Sequence, residues 1–140
     1  MDPTLTVVAD GGLRFVAEIR GHRIATDQPG FGGGADSAPM PLELMTASLG
    51  SCIALYVERF LAARGIAADG LRVEVEAIPA AHPKRIGRFD VRIVLPDGVP
   101  EAYLPMLERV ATNCPAHHTL TQPPEIGIEL VGGVAVAAVD

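Results

Sequence analysis

The chain has 140 residues, 49% of them hydrophobic and 20% charged, with a net charge of −6. That length makes one domain, residues 1–140, with room for a real core. The acidic balance, with no long run of lysine or arginine, makes nucleic acid and anionic membranes poor partners.

The first residues, MDPTLTVVADGG, lack a basic region followed by an apolar one, so no signal peptide is read and a cytoplasmic location is expected. Residues 5–9 (LTVVA) are β-branched and predict a strand. Asp10-Gly11-Gly12 then signals a hairpin. Residues 13–20 (LRFVAEIR) alternate, with Leu13, Phe15, Ala17 and Ile19 on one face and Arg14, Val16, Glu18 and Arg20 on the other. Gly21-His22 turns the chain into a third strand over 23–26, which completes a meander. Residues 27–40 (DQPGFGGGADSAPM) form a long glycine-rich segment with no phosphate-binding spacing. This segment reads as a flexible flap, and a lid over a site is one use for it.

Residues 41–65 (PLELMTASLGSCIALYVERFLAARG) are the stretch that the rest must wrap. Pro41 suits a first helical position, Glu43 the positive end of the helix dipole, and Arg64-Gly65 the stop. From 44 to 57 there is no charge. Fourteen such residues fall short of the roughly 20 that a bilayer needs. The expectation is a buried central helix, covered by this chain or by a second copy.

Two alternating strands follow, over 71–78 and 88–95, with the polar stretch PAAHPKRIG between them as a loop. A helix is predicted over 100–112, a break at Asn113-Cys114-Pro115, and a short helix over 116–120. Residues 125–139 (EIGIELVGGVAVAAV) read as a last hairpin turning at Gly132-Gly133. The fold class is α+β, with antiparallel sheets around one long helix.

Chemistry concentrates on the two cysteines. Cys52, in mid-helix, shares its face with Met45, Ser48, Leu49, Leu55, Tyr56 and Arg59. The bland alternative is a small core residue. Cys114 precedes a proline suited to a first helical position, which predicts an N-cap where amide groups and the dipole acidify a thiol. His117 and His118 lie within a turn and add to that case. Against it stands a thiol simply buried in a helix break. A zinc site at Cys114-x-x-His117-His118 lacks a second half-site, since His22 and His82 sit in unrelated turns. Glu43 lies about 180° round the helix from Cys52, and a capping role accounts for it. Arg14 sits on the outward face beside Glu18.

The order of these parts resembles the family of osmotically inducible protein C (OsmC) and organic hydroperoxide resistance proteins. The likeness runs from about residue 5 to about residue 130. It rests on P-x-E-L…G-x-C around Cys52 and on C-P-x-x-x-[TA]-L at Cys114. The resemblance implies a thiol peroxidase without a metal or organic cofactor, built as an intertwined homodimer with active sites where the subunits meet. It assigns attack on an organic hydroperoxide to Cys52 and resolution of its sulfenic acid, as a disulfide, to Cys114. A dithiol reductant, a lipoyl group among them, is the implied electron source.

The family activates its thiolate with an arginine from the early strands and a glutamate ten residues before the cysteine. That glutamate position is Leu42 here, one place before Glu43, and Arg14 follows the Gly-Gly turn one residue late. Glu43 and Arg14 are the expected positioning pair, with Arg20 and Arg23 as alternatives to Arg14. The other class of reading is a non-enzymatic dimer of this fold that binds a small apolar or thiol-reactive ligand at the subunit interface.

Overall fold

A computed structural model describes residues 4–133. Three strands, β1 (Thr6–Ala9), β2 (Phe15–Ile19) and β3 (His22–Thr26), form an antiparallel meander in the order β1-β2-β3. The long helix α1 (Pro41–Ala62) follows, then the antiparallel hairpin β4 (Arg72–Ala80) and β5 (Arg85–Val94). A single 3-10 turn at Glu101–Tyr103 leads into α2 (Leu104–Thr112) and α3 (Pro115–Thr121). The helix predicted over 100–112 thus begins with a tighter turn, and Pro105 falls in the first turn of α2, where its missing N–H has no role.

The start and stop signals of α1 act as read. Glu43 reaches back to accept the Met40 N–H at 2.8 Å, and Gly65 takes φ +69° beyond the last turn. By length and composition α1 is apolar enough to cross a bilayer, as core helices also are. Here it is the core helix. Leu49, Ile53, Val57 and Leu61, spaced four apart, form one buried stripe with Leu107, Ala111 and Cys114. Val73, Val75, Phe89 and Ile93 of the hairpin close over it. Gly50 explains how closely β4 lies on α1, since a Cβ there would meet Val75 Cγ2 at 3.1 Å. A mid-helix glycine costs about 1 kcal/mol against alanine, and this contact is its use.

Only that stripe is sealed within the chain. Leu42, Met45 and Leu55 of α1 are exposed. The meander packs substantially against neither helix nor hairpin, since the strong contacts of α1 go to β4, β5, α2 and α3. Its apolar face carries the row Val7, Ala17 and Ile24, with Phe15 one step along. Val7, Ile24 and Phe15 are exposed, while Val16 on the opposite face is buried between Val8 and Ala25.

Three expectations are corrected. The stretch 79–87 is not a simple loop: the ladder continues past an irregularity at Ile78/Pro79 to Ala80↔Arg85. The hairpin predicted over 125–139 is absent among the described residues, which hold no strand after α3, and residues 134–139 lie outside them. Ile126, Ile128, Leu130 and Val131 are 81–95% exposed. A strand needs a neighbour for its amides and carbonyls, and none stands beside this segment among the described residues.

The glycine-rich segment is the third correction, because it is pinned. Asp27, 2% exposed, accepts the Ser37 N–H at 3.0 Å, the Ser37 hydroxyl at 2.6 Å and the Gln28 N–H at 2.7 Å. Gly34 lies so close to the Gln28 carbonyl that a Cβ would stand 2.0 Å from its oxygen. The Ser37 bonds are the main reason that the Asp27 carboxyl is held down to about 2.

Leu61→Ala removes a fully buried side chain and is expected to cost about 2–5 kcal/mol, read as a lower urea midpoint at unchanged slope. For Asp27 the depressed value means that its stabilisation is complete above the ordinary carboxylate value, about 3.9, and disappears as pH falls through about 2. Asp27→Asn should therefore lower the melting temperature at pH 6, and its deficit against wild type should close below pH 2.

Candidate active site

The site begins with the stripe on α1. Cys52 lies three residues past Leu49 and one before Ile53, so it sits at the edge of the buried core, partly exposed. Opposite it, α2 ends at Asn113 and the chain re-enters helix at Pro115, which makes Cys114 the N-cap of α3. The Cys114 sulfur accepts the His117 N–H at 3.3 Å, as the sequence predicts for an N-cap. Both cysteines are free thiols, Cys52 packs against the buried cluster that contains Cys114, and the two thiols interact electrostatically.

Their environments differ. Cys114 is 0% exposed and belongs to the core itself. Burial pushes its thiol up, the N–H groups of His117 and Ala116 act the other way, and the neighbouring Cys52 adds to the rise. The expectation that the N-cap makes Cys114 the acidic thiol is thereby corrected: removal from water outweighs two amide dipoles. Cys114 is held protonated beneath Cys52, and Cys52 is the thiol that solvent reaches.

The other expected residues stand elsewhere in the single chain. Glu43 lines a cleft of about 820 Å³ between α1 and the hairpin, with Thr46, Gly50, Ser51, Val73 and Val75. Neither cysteine lines that cleft, which agrees with the half-turn separation read from the sequence. Arg14 is held at the end of the meander, its Nε donating to Asp10 Oδ2 at 2.8 Å and its Nη1 to Ser37 Oγ at 2.9 Å. Through Ser37 it is tied to Asp27, so the glycine-rich segment fixes the guanidinium. Arg20 and Arg23 lie together at the β2–β3 turn, where Arg23 pairs with Glu18 at 3.6 Å. Arg59, on the Cys52 face, rests over the Tyr56 ring at 5.6 Å. Asp27 and Ser37 escaped the sequence reading, because ten residues of glycine-rich chain hide their pairing.

A second cavity, about 360 Å³, opens between α1, α3 and β5, and neither cysteine lines it. Leu49, Ile53, Phe89, Val91 and Leu120 make it apolar, and His117 lines one wall.

The family model described as OsmC-like protein matches residues 33–129. No curated protein matches the chain. Among solved structures, the chain is similar to an osmotic stress induced and detoxification response protein of Psychrobacter arcticus. The two share 25% identity over 83% of this chain and 86% of the other, with a TM-score of 0.76. An OsmC like protein of Mycoplasma pneumoniae shares 21% identity over 88% and 91%, with a TM-score of 0.67. An organic hydroperoxide resistance protein OsmC of Legionella pneumophila shares 20% over 86% and 90%, at 0.58.

Accessibility orders the two thiols. With a limiting alkylating agent at neutral pH, peptide mapping should find Cys52 modified first. Cys114 should follow only at higher pH or on unfolding; equal labelling would contradict the burial asymmetry.

Proposed function

The chain belongs to the OsmC-like family, and from that premise we propose that it is a cysteine-based peroxidase reducing organic hydroperoxides. The observation that carries this reading is the pairing of a reachable thiol, Cys52, with a sealed one, Cys114, within interaction range. The Cys52 thiolate attacks the peroxide, the O–O bond breaks, and an alcohol leaves while Cys52 becomes a sulfenic acid. Cys114 then attacks that sulfur, a disulfide forms and water departs. A dithiol such as a lipoyl group returns both thiols to the reduced state. The similarity to a hydroperoxide resistance protein of Legionella pneumophila supports the reaction class. The apolar cavity beside Leu49 and Ile53 supports an alkyl substrate over hydrogen peroxide.

The working form in this reading is a homodimer. A meander with its apolar face open, an α1 with exposed leucines and the exposed Ile126, Ile128 and Leu130 are surfaces that a second copy would cover. Arg14 and Glu43 enter the chemistry only through that assembly, since within one chain Arg14 is held by Asp10 and Ser37 and Glu43 caps α1. Two free thiols suit a reducing, cytoplasmic setting. One observation favours the second reading, a dimer that binds a small apolar ligand without turnover: the larger cleft, about 820 Å³, holds no cysteine.

Dithiol-dependent consumption of an alkyl hydroperoxide tests the proposal. Wild type should turn over and should prefer the alkyl peroxide to hydrogen peroxide at equal concentration. Cys52→Ser should fall to background, and Cys114→Ser should complete one turnover and stall as a sulfenic acid that dimedone traps. Intact thiols after peroxide treatment of wild type would contradict the peroxidase reading and favour ligand binding.

A further inference from the structure

The larger cleft, between α1 and the hairpin, has a chemistry of its own, apart from both thiols. Its volume, about 820 Å³, falls within the range of small-molecule sites. The floor is apolar, made by Val73, Val75 and Ala77 of β4 and Ile86 of β5. On the α1 wall Ala47, Gly50 and Ala54 recur at helical spacing, and their small side chains keep the hollow open.

The polar side of the cleft has one sign. Among the described residues that line it, Glu43 alone is charged. Its Oε1 accepts the Met40 N–H at 2.8 Å, and no ion pair engages the carboxylate among the described residues. Thr46 lies one turn further along the same wall. Its hydroxyl donates to the Leu42 carbonyl at 2.8 Å, so it meets a ligand as an acceptor. No arginine, lysine or histidine lines this cleft. An anionic ligand would therefore meet the Glu43 charge and no compensating cation.

We propose that this cleft binds a small cationic amphiphile, an ammonium group carried on a short apolar chain or ring. The ammonium donates to Glu43 Oε2 and to the Thr46 hydroxyl, while Oε1 keeps its bond to the Met40 N–H. The apolar body covers Val73, Val75 and Ile86. Burial of that body supplies affinity, and the carboxylate selects the head group. The inference rests on the ligand-binding reading of the cleft and adds the class of ligand; turnover at the thiols is independent of it.

The test is calorimetric titration of the reduced full chain at neutral pH with octylamine, octanol and octanoate, which share one apolar body. Octylamine should bind about tenfold more tightly than octanol, the scale of one charge-assisted hydrogen bond. Octanoate should bind more weakly than either. In Glu43→Gln, whose amide oxygen still accepts the Met40 N–H, octylamine should fall to the level of octanol. Ala47→Leu fills the cleft from an exposed position. It should abolish binding of all three probes while circular dichroism and Cys52 alkylation stay as in wild type.

Equal affinity for the three head groups would overturn the inference and leave a cleft that binds apolar ligands without regard to charge. So would octylamine binding that is unchanged in Glu43→Gln. No binding of any probe to wild type would overturn both the inference and the ligand-binding reading. If Ala47→Leu then split a wild-type dimer, the occupant of the cleft would be a second copy.

Discussion

The helices and the β4–β5 hairpin depend on one stripe of α1. Leu49, Ile53, Val57 and Leu61 lie on a single helical face, and burying them calls α2, α3 and the β4–β5 hairpin into place. Burial of four such side chains is worth about 1.5–3 kcal/mol each, more than any cap or ion pair in the chain can supply. The exposed ion pairs, such as Arg72–Glu74 and Arg92–Glu74, add little beside it. The stripe also sets the chemistry. Cys52 occupies its rim, while Cys114 is itself a member of the core it nucleates.

That shared origin explains why two identical side chains behave differently. A helix N-terminus ordinarily lowers a thiol's pKa, and Cys114 has the N-cap geometry, including an amide aimed at its sulfur. Desolvation wins because the sulfur has no water around it. A thiol kept protonated until needed suits a resolving partner, since it does not compete with Cys52 for an oxidant.

The sequence made local features legible where local physics decides them. Pro41, Glu43 and Gly65 mark the ends of α1 because caps and turns are short-range. The alternation in LRFVAEIR and LRVEVEAI marks strands for the same reason. The N-cap at Cys114 was likewise readable from the proline after it. What escaped were balances and partners. The Asp27–Ser37 pairing closes a ten-residue loop that no periodicity announces, and the sealed state of Cys114 depends on residues from α1 and α2. The EIGIELV segment reads as a strand by pattern, yet a strand is a property of two chains of hydrogen bonds, and no partner for it lies among the described residues. For the site, the Cys52–Cys114 pair came from the motif order, while Arg14 and Glu43 stand apart within one chain.

The central claim is that the stripe brings Cys52 and Cys114 together as a redox pair. Its most direct test is intact mass followed by peptide mapping of the reduced protein after one equivalent of an organic hydroperoxide. The account predicts the rapid loss of one hydrogen from each thiol and a single cross-linked peptide joining Cys52 to Cys114. Unmodified thiols, or oxygen added to Cys52 with no linked peptide, would contradict it.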